Sequence, residues 1–187
     1  MATVRGSAVL NTIAFVRDTL GIQAHRRILA LLPPDHAAGV DLTMSEGQRR
    51  PLEYLVAYME QAKALFAPTD DDFYRAMGRF GGVRNRDDSN FRFMLQDRET
   101  AIRMAKVLWT ASFDEGSLET VSSTPTGATL RVIGFRCAPS LCQRILGTME
   151  VELRASGDHT ACVFRGDAHC EYALSWEAEA SGRGAEP

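Results

Sequence analysis

The feature that most constrains this fold is a change of hydrophobic period about two thirds of the way along the chain. Up to Gly116 the apolar residues recur at helical spacing; beyond it they sit in short β-branched runs that alternate. Helices are predicted over 7–20, ended by Gly21, and over 22–32, stopped by Pro33-Pro34. Residues 35–50 carry no clear period and read as a loop. Leu52, Leu55, Tyr58, Met59, Ala62 and Phe66 then mark a helix over 52–66. Another helix, capped at Thr69, carries Phe73, Met77 and Phe80 until Gly81-Gly82 breaks it. Residues 84–90 form a charged loop, helix resumes near Phe91, and a longer helix runs from Glu99 through Trp109.

After the change, 117–123 and 128–135 predict a first hairpin. Residues 139–155 predict a helix with proline in its first turn, and a second hairpin follows around Arg165-Gly-Asp-Ala168. Helices followed by β-β-α-β-β describe an α+β domain with an antiparallel sheet. It spans residues 1–176, with a small, polar, disordered tail over 177–187.

Within the second hairpin, Cys162 and Cys170 face one another if the loop holds an odd number of residues, with Cα atoms roughly 4.5–5.5 Å apart. His159 lies three residues before Cys162. Two thiols held side by side suit half a metal site, a disulfide, or two small buried hydrophobes. Alternation places His159 on the opposite face from Cys162, so it joins a shared site only through a turn or a bulge.

Composition limits the functional classes. With 187 residues, 45% hydrophobic and 24% charged, the chain suits one soluble domain. A net charge of −3 argues against a nucleic-acid surface, and no run approaches the roughly 18 apolar residues of a membrane span. The absence of a leader sequence predicts a cytoplasmic protein with reduced thiols. No catalytic constellation emerges: Cys137 lies near a helix start, but the sequence sets no histidine beside it. Met104, Leu108, Trp109 and Phe113, at the helix-to-sheet junction, are the expected walls of a small apolar pocket. Leu10, Ile13, Phe15 and Val16 form a stripe too broad for one buried face, which predicts a homodimer through the helical half.

Gly134-Phe135, Leu146-Gly147 and His159-x-x-Cys162-x-x-x-Gly166-Asp167-x-x-Cys170, with Trp176 beyond, resemble the 4-vinyl reductase (V4R) domain. That domain belongs to a ligand-binding fold shared with haem nitric-oxide-binding domains and TRAPP subunits. Val4-Arg-Gly-Ser-Ala8 and Arg27-Ile-Leu-Ala-Leu-Leu-Pro-Pro34 extend the likeness to a largely myxobacterial family over residues 4 to 176. The resemblance implies structural zinc, with Cys162 and Cys170 as ligands and His159 where that family places an acidic residue. The family's early cysteine has no direct counterpart, leaving Cys142 or Cys137 as the fourth ligand. The expected set is Cys142, His159, Cys162 and Cys170, closing a tetrahedron between the crossing helix and the last hairpin. The haem-binding relatives' Tyr-x-Ser-x-Arg string is missing, so no haem is expected. The function these features imply is a non-enzymatic sensory or adaptor domain that binds a small apolar ligand or a protein partner. A ligand-free dimerisation or scaffold domain is the alternative.

Overall fold

The computed structural model describes residues 2–40, 42–88, 91–136 and 138–177. Cys137 and the tail beyond Glu177 lie outside them. The chain opens with β1 (Thr3–Arg5) and α1 (Gly6–Leu20), which ends at Gly21, φ 87°. Next come α2 (Ile22–Leu31) and α3 (Pro34–Gly39), where proline occupies a helix start at no hydrogen-bond cost. Then β2 (Arg49–Pro51) pairs antiparallel with β1. The segment 35–50, read as a loop, thus holds most of a short helix and part of a strand, both too brief to show a period.

Two longer helices follow, α4 (Leu52–Phe66) and α5 (Phe73–Asp87). The latter starts at Asp72 rather than Thr69 and runs straight through Gly81-Gly82. Its glycines serve packing. A Cβ on Gly78 would come within 2.9 Å of the Arg144 carbonyl carbon, and one on Gly82 within 2.9 Å of Val151 Cβ. Residues 91–94 form turns rather than helix. The expected long helix from Glu99 is split into α6 (Arg98–Arg103) and α7 (Ala105–Ser112), and Asp97 caps the first by accepting from Thr100 N at 2.7 Å.

The last third comprises β3 (Ser117–Thr124), β4 (Gly127–Ile133), α8 (Pro139–Glu152), β5 (Ser156–Ala161) and β6 (Cys170–Ser175). The four strands form an antiparallel sheet in the order β3-β4-β6-β5. Alternation on β4 and β6 buries Ala128, Leu130 and Val132 beside Cys170, Tyr172 and Leu174. Against that face lies α8, with α5 on its far side. Arg75 of α5 makes a bidentate pair with Glu150 of α8 and donates to the Gly157 carbonyl of β5 at 2.7 Å, tying the layers together.

Ile13, Phe15 and Val16 are buried inside the chain, and Leu10 packs against the same core. Phe15 meets Phe73 and Phe80 edge-on, with centroids 5.6 and 5.7 Å away. The stripe that predicted a homodimer is therefore covered by α5. Among the described residues, no helix is long and apolar enough to cross a membrane.

Candidate functional site

Two sites flank α8. At the first, α8 meets the second hairpin. Cys170 starts β6 on the buried face, opposite Val132 of β4. On β5, His159 pairs with Tyr172 and Ala161 with Glu171, so Thr160 is an extra residue in the ladder. That bulge moves His159 to the same side as Cys162, which strict alternation forbids. The His159 ring stacks on Tyr172, with centroids 4.8 Å apart and planes 13° apart. Beyond Ala161 the chain wraps around Cys162. Its N–H donates to Asp167 Oδ2 at 2.7 Å, and its carbonyl accepts from Arg165 N at 2.8 Å. Gly166, φ 95°, closes the turn.

Cys142 comes in from the first turns of α8, its Sγ 3.8 Å from that of Cys170. One ligand atom from each of Cys142, His159, Cys162 and Cys170 lies within 4.8 Å of the others. All three thiols are buried and free, since a disulfide needs sulfurs about 2.05 Å apart. Thiolates about 2.3 Å from a tetrahedral metal sit about 3.8 Å from one another. Burial pushes the Cys142 and Cys170 thiols up, and repulsion from the neighbouring thiols adds to this. Burial also lowers His159, helped by the Arg165 charge, leaving a neutral imidazole at pH 7. His159 Nε2 is buried without a hydrogen-bond partner among the described residues. Three soft donors and one orphaned imidazole nitrogen are a donor set for a thiophilic metal.

The second site is a cavity of about 100 Å³ between α1, α5, α7, α8 and the sheet. Leu108, Trp109 and Phe113 line it; Met104, half-buried, does not. Trp109 and Phe113 pack with Phe135 in a triad of centroids 4.6–5.0 Å apart, and Trp109 Nε1 donates to the Glu115 carbonyl at 2.9 Å. The α8 wall has two stripes. Ile145, Met149 and Leu153 are apolar; Arg144, Thr148 and Glu152 are polar. Arg144 is 5% exposed, and its Nη2 donates to the Ala8 carbonyl at 3.1 Å. Glu152 accepts from Asn85 Nδ2 at 2.8 Å, and Asn85 accepts from Asn11 Nδ2 at 3.2 Å. Burial raises the Glu152 carboxyl to about 7 and brings Arg144 down to about 10, still charged at neutral pH. Sequence reasoning missed this polar stripe. Its signal was a charge, Arg144, set between Leu141 and Ile145 with Thr148 and Glu152 one and two turns on.

No family model and no curated protein matches the chain. Solved structures do. An Fe(II) unliganded H-NOX protein from K. algicida superposes with TM-score 0.71 at 9% identity, covering 96% of this chain and all of its own. A structure solved to probe the function of haem distortion in the H-NOX family gives 0.69 at 10%, with 97% and 100% covered. An oxygen-binding H-NOX domain related to soluble guanylate cyclases, in its oxygen complex, gives 0.67 at 11%, with 95% and 100% covered. These matches correct the resemblance to the V4R and TRAPP branch. They also overturn the zinc cofactor implied by it, because the group named for structures of this fold is haem. The α+β architecture of this chain is that of the H-NOX fold.

Proposed function

We propose that this chain is a non-enzymatic sensory domain whose α7–α8 cavity takes a small apolar molecule, and whose three thiols and His159 hold a thiophilic metal ion. The single observation supporting the cavity reading is a partly open cavity walled by Leu108, Trp109, Phe113, Ile145 and Met149, at the junction of helices and sheet. Apolar walls favour a ligand by about 25 cal/mol per Å² buried. The metal reading rests on the donor geometry and on the orphaned His159 nitrogen. A metal there would draw protons off the thiols and fasten α8 to the last hairpin. Ile13, Phe15 and Val16, buried in the chain's own core with Leu10 packed against it, offer no face for a homodimer.

The fold likeness favours a second reading, haem in the same cavity. The residues do not fit it. A cavity of about 150 Å³ holds benzene, and this one, at about 100 Å³, is far below a porphyrin. Among the described residues its walls carry no histidine, cysteine or tyrosine, and Met149 is the one lining side chain of the kinds that usually ligate haem iron. The four histidines are engaged elsewhere. His25 is buried against the Tyr58 hydroxyl at 2.8 Å, His36 packs on Tyr54, His159 stacks on Tyr172, and His169 lies 3.7 Å from Glu171.

Toluene and cobalt(II) test the two parts separately. Toluene is expected to bind the wild type and to lose at least about tenfold in affinity in Ala105→Leu, which fills the cavity from α7. Unchanged binding in that variant overturns the cavity. Cobalt(II) is expected to give the intense visible bands of a tetrahedral thiolate complex at one equivalent, and their absence overturns the metal cluster. A Soret band in freshly purified protein decides for haem.

A further inference from the structure

We propose that the molecule this cavity takes is an acid: a single-ring or similarly compact carboxylate whose apolar body lies against Trp109, Phe113 and Met149 and whose head pairs with Arg144. The inference rests on the cavity reading above and adds the chemical class of the ligand. Its first observation is a buried cation on an otherwise apolar wall. Arg144 is 5% exposed and lines the cavity, and its Nε has no hydrogen-bond partner among the described residues. A buried guanidinium is costly unless a counter-charge and hydrogen bonds compensate it.

The second observation is that the obvious internal counter-ion is otherwise engaged. Glu152 lies two turns along the same stripe of α8, accepts from Asn85 and feels the Arg144 charge only through space, since no ion pair within 4 Å joins the two among the described residues. Asn11, the other polar side chain close by, is taken up by Arg84 Nε at 2.8 Å and by Asn85. Among the described residues the Arg144 side chain donates to a neutral carbonyl, that of Ala8. A ligand carboxylate would supply the direct pairing that Glu152 does not make and accept from Nε, in the paired geometry guanidinium groups favour. The space sets the size: at about 100 Å³ it is smaller than the roughly 150 Å³ that holds benzene, so it takes at most one ring, part of which lies in the cavity's open mouth.

Benzoate, toluene and benzylamine share a ring and differ in head group, so they test the idea by calorimetry or by ligand-induced shifts in wild-type protein. Benzoate is expected to bind at least about tenfold tighter than toluene, and benzylamine no tighter than toluene. Arg144→Met should cancel the benzoate preference, read as the ratio of benzoate to toluene affinity within the same variant; Arg144→Lys should keep part of it. Toluene binding as well as benzoate overturns the acid assignment and leaves the cavity standing. Failure of both to bind overturns the cavity, and the assignment falls with it. A benzoate preference that survives Arg144→Met overturns the role of Arg144. If Arg144→Met does not fold, the wild-type comparison of the three heads still decides.

Discussion

Replacing Gly147 by alanine sets two effects of opposite sign against each other at one atom. Helix propensity favours the change: alanine in a helix interior is better than glycine by about 0.8–1.0 kcal/mol. Packing opposes it. A Cβ on Gly147 would lie 2.9 Å from the Arg75 carbonyl carbon and 3.1 Å from its Cα, with the carbonyl oxygen nearer still. All three atoms are backbone, so no rotamer change relieves the clash, and α5 and α8 must separate by on the order of 1 Å. Overpacking of this kind costs about 1–3 kcal/mol, and a backbone obstacle puts it at the upper end. The net loss is about 2 kcal/mol, which in a chain of this size lowers Tm by about 4–8 °C. Gly81→Ala is the internal control. Its nearest neighbours are Arg144 Nη2 at 3.7 Å and Asn11 Cβ at 3.9 Å, an ordinary contact, so propensity wins and Tm rises by about 2–4 °C. Thermal unfolding by circular dichroism, with urea midpoints at unchanged m, measures both variants. If Gly147→Ala is as stable as wild type, or moves with Gly81→Ala, the close approach of α5 to α8 is not what holds them together.

The metal cluster and the polar stripe give two further outcomes. Cobalt(II) at about a hundred times its dissociation constant should stabilise the wild type by about 2.7 kcal/mol, and this gain should vanish in Cys170→Ser; an equal gain in the variant would mean the ion binds elsewhere. Glu152, raised to about 7 in the folded chain from an ordinary 4.5, holds its proton more tightly when folded. Its contribution to stability is therefore present below about pH 4.5 and is lost as pH rises towards 7. His25 and His159, both lowered, act in the opposite sense, so the comparison must be with Glu152→Gln: the variant should gain on wild type from pH 5 to pH 7.5, and parallel curves would contradict the burial of this carboxyl.

What the sequence made legible followed from periods long enough to read. The change at Gly116, the amphipathic α4 and the alternation on β4 and β6 are each several residues of consistent pattern, and each element formed. β1 and β2, three residues apiece, are too short to carry a period and are fixed by pairing with each other across more than forty residues. Gly81-Gly82 misled for a related reason. Local propensity counts a glycine pair as a break, whereas here the missing side chain of Gly82, like that of Gly78, lets α5 approach α8, a benefit that exists only once the partner helix is in place. The same long-range logic governs the sites. His159 reaches Cys162 only through the bulge at Thr160, and nothing local to that strand announces a bulge. Arg144 was passed over because a lone charge in an apolar helix is usually solvated; its burial depends on α1, α5 and α7 closing over it. Both sites meet on α8. Ile145, one residue from Arg144 and three from Cys142, lines the cavity on one side and the small void beside Cys142 and Cys170 on the other. A change in seating of that helix is therefore felt at both, and by linkage any coupling between metal and ligand must be equal in the two directions.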